Sequence, residues 1–187
     1  QFKLTSGKKS PVYCDCRRII SFPEEREKLI DFGISKLKEK PKFKKISNIA
    51  GGESAGIPFA AFIAQKLNLP MTYIRKEKKK FGKNSQIEGL LNQKDNVLLA
   101  EDLMTDGGSK LKFLDAIEKL GANISGIFVI FNYGIIRDYY LFKKKKIDII
   151  SLTNWSHVLN AASRKKILKN DEVRIVESFL EKMKVKS

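Results

Sequence analysis

The sequence predicts an α/β fold, a doubly wound and mainly parallel sheet flanked by helices. Three observations carry that expectation. Apolar runs of strand length alternate with segments of helical spacing. Val97-Leu98-Leu99-Ala100 is apolar at every position, as in a strand covered on both faces. The segments richest in glycine, hydroxyls and charge, residues 50–56, 75–85 and 101–109, fall where strands end, and doubly wound sheets bind ligands at those carboxyl ends.

The first helix is expected over residues 23–40, with Pro23 at its start, Glu24 and Glu25 in its first turn and Lys36, Lys38 and Lys40 in its last. Ile46 to Ala50 reads as a short strand ending in Gly51-Gly52. A helix follows over Ile57 to Leu67, where Ala60, Ala61 and Ala64 permit close packing. Met71 to Arg75 is the second strand. The polar run from Lys76 to Ser85 lacks apolar payload and is expected to be a mobile loop. Val97 to Ala100 is the third strand, with Glu101 and Asp102 at its end. Gly107-Gly108-Ser109 opens a helix through Leu120, stopped by Gly121. Ile124 to Phe131 and Ile147 to Leu152 are further strands, and residues 171–184 form a terminal amphipathic helix. No internal repeat and no linker divides the chain.

The formal net charge is +16, and most of the 37 basic residues are Lys. That balance suits polyanions such as nucleic acid, a membrane surface or phosphorylated small molecules, and a Lys-rich surface also arises from biased codon usage alone; a phosphate-rich substrate is the functional reading. A recognisable nucleic-acid module and interleaved Arg and aromatics are both missing, so no nucleic acid is expected. No run approaches the ~18 apolar residues of a membrane span. The two cysteines, Cys14 and Cys16, are expected to be free thiols in a reducing, cytoplasmic setting, since C-x-C alone is no zinc signature. The lone His157 excludes a multi-histidine metal site, and G-x-S-x-G is absent.

The most specific stretch runs from Val97 to Ser109. Two adjacent carboxylates precede a turn rich in glycine and hydroxyls, and then a helix starts. Free N–H groups at a helix start attract anions, and glycines let a phosphate approach. Carboxylates beside a phosphate make sense if the ligand also carries vicinal hydroxyls, which they accept hydrogen bonds from. A sugar phosphate has both. Gly51 and Gly56 have P-loop spacing, but Ile57-Pro58 stands where Lys-Ser/Thr is required.

This stretch resembles the phosphoribosyl pyrophosphate (PRPP) motif of the type I phosphoribosyltransferases. The resemblance implies that fold, with Glu101 and Asp102 on the ribose hydroxyls and Thr105, Asp106, Gly107, Gly108 and Ser109 around the 5′-phosphate. Leu103 and Met104 belong to the same PRPP-binding run. Leu4 to Arg18, with its Ser6-Gly7-Lys8-Lys9-Ser10-Pro11 core, is similar to the orotate-site segment of the orotate phosphoribosyltransferases. Ala50 to Pro58 is similar to their pyrophosphate loop, here Gly52, Glu53, Ser54, Ala55 and Gly56. Tyr73 to Gly82, closing with Gln86-Ile87-Glu88-Gly89, is similar to their catalytic loop.

The resemblance implies transfer of ribosyl 5-phosphate from PRPP to orotate in pyrimidine (UMP) biosynthesis, by one phosphoribosyltransferase domain over residues 1–187. Arg75, Lys76, Lys79 and Phe81 are its loop residues at PRPP. Lys79 and Asp102 are its catalytic pair. Tyr13, Cys14, Thr105 and Tyr133 face orotate. Mg2+ is the implied cofactor, held mainly by substrate and water, and a homodimer sharing the catalytic loop is the implied assembly. The chain departs from many members at four places: Phe81 stands where His is common, Thr5 and Ala55 where Lys occurs, and Tyr133 where Arg occurs. A helical segment usual before Phe2 is expected to be missing. Transfer to a purine and a regulator binding PRPP and nucleic acid are the competing readings. The N-terminal Ser-Gly-x-x-Ser-Pro run speaks against the first, and the intact loop Arg75, Lys76 and Lys79 against the second.

Overall fold

The computed structural model describes residues 2–3, 9–78, 86–105, 107–134 and 139–185. The chain begins with a two-stranded antiparallel pair, β1 (Phe2–Lys3) and β2 (Lys9–Ser10). A 3-10 turn, Cys16–Ser21, leads into α1 (Pro23–Lys38), and a second, Pro41–Lys45, leads to the main sheet. The order is then β3 (Asn48–Gly52), α2 (Gly56–Leu67), β4 (Met71–Ile74), β5 (Ile87–Glu88), β6 (Asn96–Met104), α3 (Gly108–Lys119) and β7 (Asn123–Asn132). The chain ends with α4 (Tyr139–Lys144), β8 (Ile149–Asn154), α5 (Trp155–Arg164) and α6 (Asn170–Val185).

The six-stranded sheet has the order β5-β4-β3-β6-β7-β8. Every pairing is parallel except β4 with β5. The doubly wound expectation therefore holds, with one antiparallel edge strand. Side chains of successive strand residues go to opposite faces, and the core divides accordingly. Leu98 and Ala100 join Phe59, Ile63, Ile30, Ile34 and Phe128 on one face. Val97 and Leu99 join Phe113, Leu114, Ile117 and Phe142 on the other. A strand buried on both sides cannot alternate, which is why the apolar runs in β6 and β7 are continuous.

Most elements lie where the sequence places them, and the differences have local causes. Helix α1 stops at Lys38, not Lys40, because Pro41 starts a new turn. Strand β6 runs on to Met104, so Glu101 and Asp102 lie within the strand and not at its end. The cause is β7, whose Phe131 and Asn132 pair with Leu103 and Met104 and carry the ladder past the acid pair. Strand β5 is two residues long and exists through its pairing with Tyr73 and Ile74, so no local periodicity announces it. Helix α5 was not anticipated. It is capped by Asn154, whose Oδ1 accepts the His157 N–H at 3.1 Å.

The burial pattern makes a direct prediction. Phe128 is fully buried, whereas Phe32 on α1 is 68% exposed. Phe128→Ala should cost about 3–5 kcal/mol, the usual penalty for an emptied aromatic site. Phe32→Ala should stay within about 0.5 kcal/mol, as exposed substitutions do. Denaturant midpoints of the two variants compare them directly.

Candidate functional site

The path of the chain creates the site. From β3 it leaves through α2 to β4 on one side, and after β5 it crosses to β6 on the other. Neighbouring crossovers that diverge leave a crevice at the carboxyl ends of the two strands, here β3 and β6. Residues 52–56 end β3 and lead into α2, 75–78 follow β4, and β6 carries Glu101 and Asp102 in its final stretch before Gly107 to Ser109, so the described parts of the three expected segments gather at the carboxyl ends of adjacent strands.

The pyrophosphate-loop residues sit directly against β6. Gly52 and Gly56 are buried, and a Cβ built on either would overlap Glu101 Oε1. The loop can therefore reach β6 only without side chains at these positions. Between them Glu53 and Ala55 are half-buried and Ser54 is exposed, and the Glu53–Ser54 peptide bond is cis. Glu53 N–H donates to the Ile74 carbonyl at 2.8 Å, and its Oε2 accepts the Lys76 N–H at 2.8 Å. The pyrophosphate loop is thereby tied to the root of the catalytic loop.

That root is clasped. Arg75 N–H donates to the Gln86 carbonyl at 2.8 Å, and Gln86 Nε2 donates to the Arg75 carbonyl at 3.0 Å. The Arg75 guanidinium lies 3.8 Å from Glu88, and Lys76 is exposed. Lys79 and Phe81 lie outside the described residues, as do Thr5 and Asp106.

The acid pair divides. Glu101 is 4% exposed, and its Oε2 takes the Lys110 ammonium at 2.7 Å. Its Oε1 has no hydrogen-bond partner. Burial pushes the Glu101 carboxyl up, while Lys110 and, more weakly, the Gly52 backbone favour its charged form. Asp102 is 7% exposed and faces the N-terminal segment, where Arg17, Cys14 and Cys16 are its charged or titratable neighbours. Burial pushes the Asp102 carboxyl up as well, against the Leu103 N–H and Lys110.

Beyond the pair, the Met104 side chain is fully buried and belongs to the core, and Leu103 and Thr105 are half-buried. Gly107 has φ +87° and precedes α3, a conformation that costs most residues ~1–2 kcal/mol. Gly108 opens the helix and Ser109 is exposed at its first turn.

The orotate-side residues also converge. Cys14 N–H donates to Tyr133 Oη at 3.2 Å, and Tyr133 N–H donates to the Met104 carbonyl at 2.9 Å. The Tyr133 ring is buried edge-on against Phe131 and Trp155. Tyr13 is exposed, stacks on Phe2 at 5.7 Å and accepts from Arg17 at 2.8 Å. Cys14 and Cys16 are free thiols with sulfurs 3.5 Å apart, in a loop and a 3-10 turn, not on a strand. The hydrogen bond between them lowers the Cys14 pKa and raises that of Cys16.

Sequence reasoning missed Lys110 and Arg17 as neighbours of the acids. The signal for Lys110 was present: a cation in the first turn of a helix faces the positive end of its dipole.

The upward shift at Asp102 has a signed consequence. A carboxyl whose folded pKa is raised stabilises the fold below its unfolded value, near ~3.9, and loses that contribution as pH rises through the folded value. Asp102→Asn removes the buried charge. It should raise the melting temperature at neutral pH, and the gain should vanish in acid, where wild-type Asp102 is protonated. Thermal melts from acid to neutral pH would show this; equal gains at all pH values would mean burial does not oppose the Asp102 charge.

Comparison with known proteins follows the same geometry. The phosphoribosyl transferase domain family matches residues 23–161. A relative from Dinoroseobacter shibae, named orotate phosphoribosyltransferase, is 45% identical over 180 residues, covering 96% of this chain and 80% of its own length. One of the same name from Rhizobium rhizogenes is 43% identical, covering 96% and 78%. Among solved structures, orotate phosphoribosyltransferase from Aeropyrum pernix superposes with a TM-score of 0.75 at 26% identity, covering 87% of this chain and 89% of that one. UMP synthase from Leishmania donovani shares the fold at a TM-score of 0.81 and 24% identity, covering 97% of this chain and 38% of that one. With the acid pair, the glycine turn and the pyrophosphate loop at one switch point, and relatives of this identity and coverage, the chain belongs to the phosphoribosyltransferase family, in its orotate phosphoribosyltransferase branch.

Proposed function

We propose that this chain transfers the ribosyl 5-phosphate of PRPP to orotate, giving orotidine 5′-monophosphate and pyrophosphate in pyrimidine biosynthesis. The observation that carries the reading is the junction of the N-terminal segment with the acid strand. Cys14 is bonded to Tyr133, Tyr133 to Met104, and Cys16 packs on the face of β6 lined by Leu98 and Ala100, the face that alternation gives to Asp102. A base held by residues 13–17 therefore meets a ribose held by Asp102.

Displacing pyrophosphate from C1 develops positive charge on the ribose and negative charge on the leaving group. Asp102 accepts from a ribose hydroxyl and places an anion near the cationic centre. The α3 start, with Thr105, Gly107, Gly108 and Ser109, offers N–H and O–H groups to the 5′-phosphate. Residues 52–56, Arg75 and Lys76 face the leaving group. Lys79, the proposed catalytic lysine, adds its charge when the loop covers the site and excludes water. Orotate is an anion already, so no strong base is required. Tyr13, Cys14, Thr105 and Tyr133 line the base side. Magnesium, when bound, neutralises the pyrophosphate; it takes oxygen ligands, mostly from substrate and water, and Glu53 and Ser54 on the loop carry oxygen atoms of the kind it accepts. The enzyme acts as a cytoplasmic homodimer. No helix among the described residues is long and apolar enough to cross a membrane.

A panel of bases tests the substrate. With PRPP and magnesium, orotate should be consumed and pyrophosphate released, while adenine, guanine, hypoxanthine and uracil react poorly. Faster turnover of any purine would overturn the orotate assignment.

Loop sharing is tested by complementation. Lys79→Ala and Asp102→Asn should each lose on the order of 10²-fold in rate. In a two-fold dimer, subunit exchange makes about half the dimers mixed, each with one intact site, so activity should recover to roughly a quarter of wild type. Mixtures that stay at parental activity would place Lys79 in its own subunit's site.

A further inference from the structure

Lys110 occupies an unfavourable place twice over. It is the third residue of α3, at the positive end of the helix dipole. Its side chain is also 10% exposed, and burying an ammonium is costly without an ionic partner. Its partner is Glu101, whose side chain is 5% exposed. Surface pairs such as Lys66 with Asp31 leave both members open to water, and cost the fold little to make or break.

The carboxylate so held has no open face. Oε2 is taken by Lys110, and Oε1 lies in the space that a side chain on Gly52 or Gly56 would fill. Asp102, the next residue on the strand, belongs to the opposite face, where Leu98 and Ala100 pack with Cys16. A bare carboxylate behind the pyrophosphate loop would repel the ligand that loop must receive. Paired with Lys110, it presents no net charge.

We infer that Lys110 is a positioning residue: its ammonium neutralises Glu101 behind the pyrophosphate loop and locks the phosphate cradle of α3 to that loop. This rests on the proposed phosphoribosyl transfer. The ion pair joins three segments: α3 supplies the ammonium, β6 the carboxylate, and residues 52–56 the glycine surface that the carboxylate fills. The charged groups that act on Glu101 are Lys110 from α3, in direct contact, and Asp102 across its own strand, and the pyrophosphate loop contributes the Gly52 backbone.

Calorimetry with magnesium-PRPP and with magnesium-pyrophosphate tests the inference on wild type, Lys110→Met, Lys110→Arg, Glu101→Gln and the Glu101→Gln/Lys110→Met double variant. Lys110→Met should weaken both ligands by on the order of 10-fold or more, the usual range for coupled neighbours. Lys110→Arg should retain most of the affinity. The double variant should recover most of what Lys110→Met loses, because no unpaired charge remains. Affinity of Lys110→Met should also improve as pH falls and Glu101 takes up a proton, a response that loss of packing alone would not give. A double variant as weak as Lys110→Met would overturn the inference by making Lys110 a direct phosphate ligand. Wild type that binds neither PRPP nor pyrophosphate would overturn the phosphoribosyl-transfer reading itself. Normal orotate turnover with unchanged affinities in Lys110→Met would sink only the role given to Lys110.

Discussion

Glu101 fills the volume that side chains at Gly52 and Gly56 would need, and the rest of the site is arranged around that contact. Strand β3 pairs with β6 in parallel register, Gly51 opposite Ala100, so the next residues of both strands emerge side by side. One strand then turns into the pyrophosphate loop and the other carries the acids. The two can lie this close only because one side offers backbone where the other offers a carboxylate. The helix after each segment, α2 or α3, starts within a few residues of the contact. Two helix N-termini thus open toward one crevice, and both favour anions there. The pairing of β3 with β6 sets the separation of residues 52–56 from the acid pair.

Such a site works against stability. Two adjacent carboxyls are buried, and burial raises both pKa values. The chain meets this differently on the two sides of β6. Glu101 is compensated by a buried ammonium. Asp102 has backbone N–H groups and the more distant Arg17, and keeps its capacity to accept from a ligand. A buried carboxyl whose charge is opposed by burial and met only by backbone and distant cations is what a binding site retains and a core would not. The net charge of +16 is read in the same terms. Lys66, Lys145 and Lys42 are engaged by acids at the surface, whereas Lys76, at the site, has none of the ion pairs found among the described residues. The excess of charge is most useful where anionic substrates arrive.

Much of this was legible in the sequence, for reasons that individual residues make clear. Val97 to Ala100 and Ile124 to Phe131 announce buried strands because a residue covered on both faces has no polar alternative. Gly107 announces a turn because φ +87° suits little else. What stayed hidden depends on contacts distant in sequence. The Cys14–Tyr133 bond spans 119 residues, and neither residue marks it locally. The continuation of β6 beyond the acid pair is imposed by β7, not by the composition of Leu103 and Met104. The division between Glu101 and Asp102 follows from alternation along a strand that extends further than its apolar run suggests. Helix α5 hides behind Asn154, a cap that reads equally well as a strand end.

The clasp between Arg75 and Gln86 limits how the catalytic loop can act. Its two hydrogen bonds and the short β4–β5 pairing fix both ends of the loop at the sheet edge. The Glu53 carboxylate then holds Lys76 N–H against the pyrophosphate loop. Residues 76–85 leave and return from this one anchor, so at ~3.4 Å per residue their tip reaches at most roughly 17 Å from it. The anchoring also couples the two loops: a ligand that draws in residues 52–56 shifts the point from which Lys76 departs. If Lys79 serves a partner subunit, that subunit's cradle must lie within the same reach. The edge of the sheet carrying β4 and β5 must then face the partner, and the edge carrying β8 lies at the far side of the sheet from that contact.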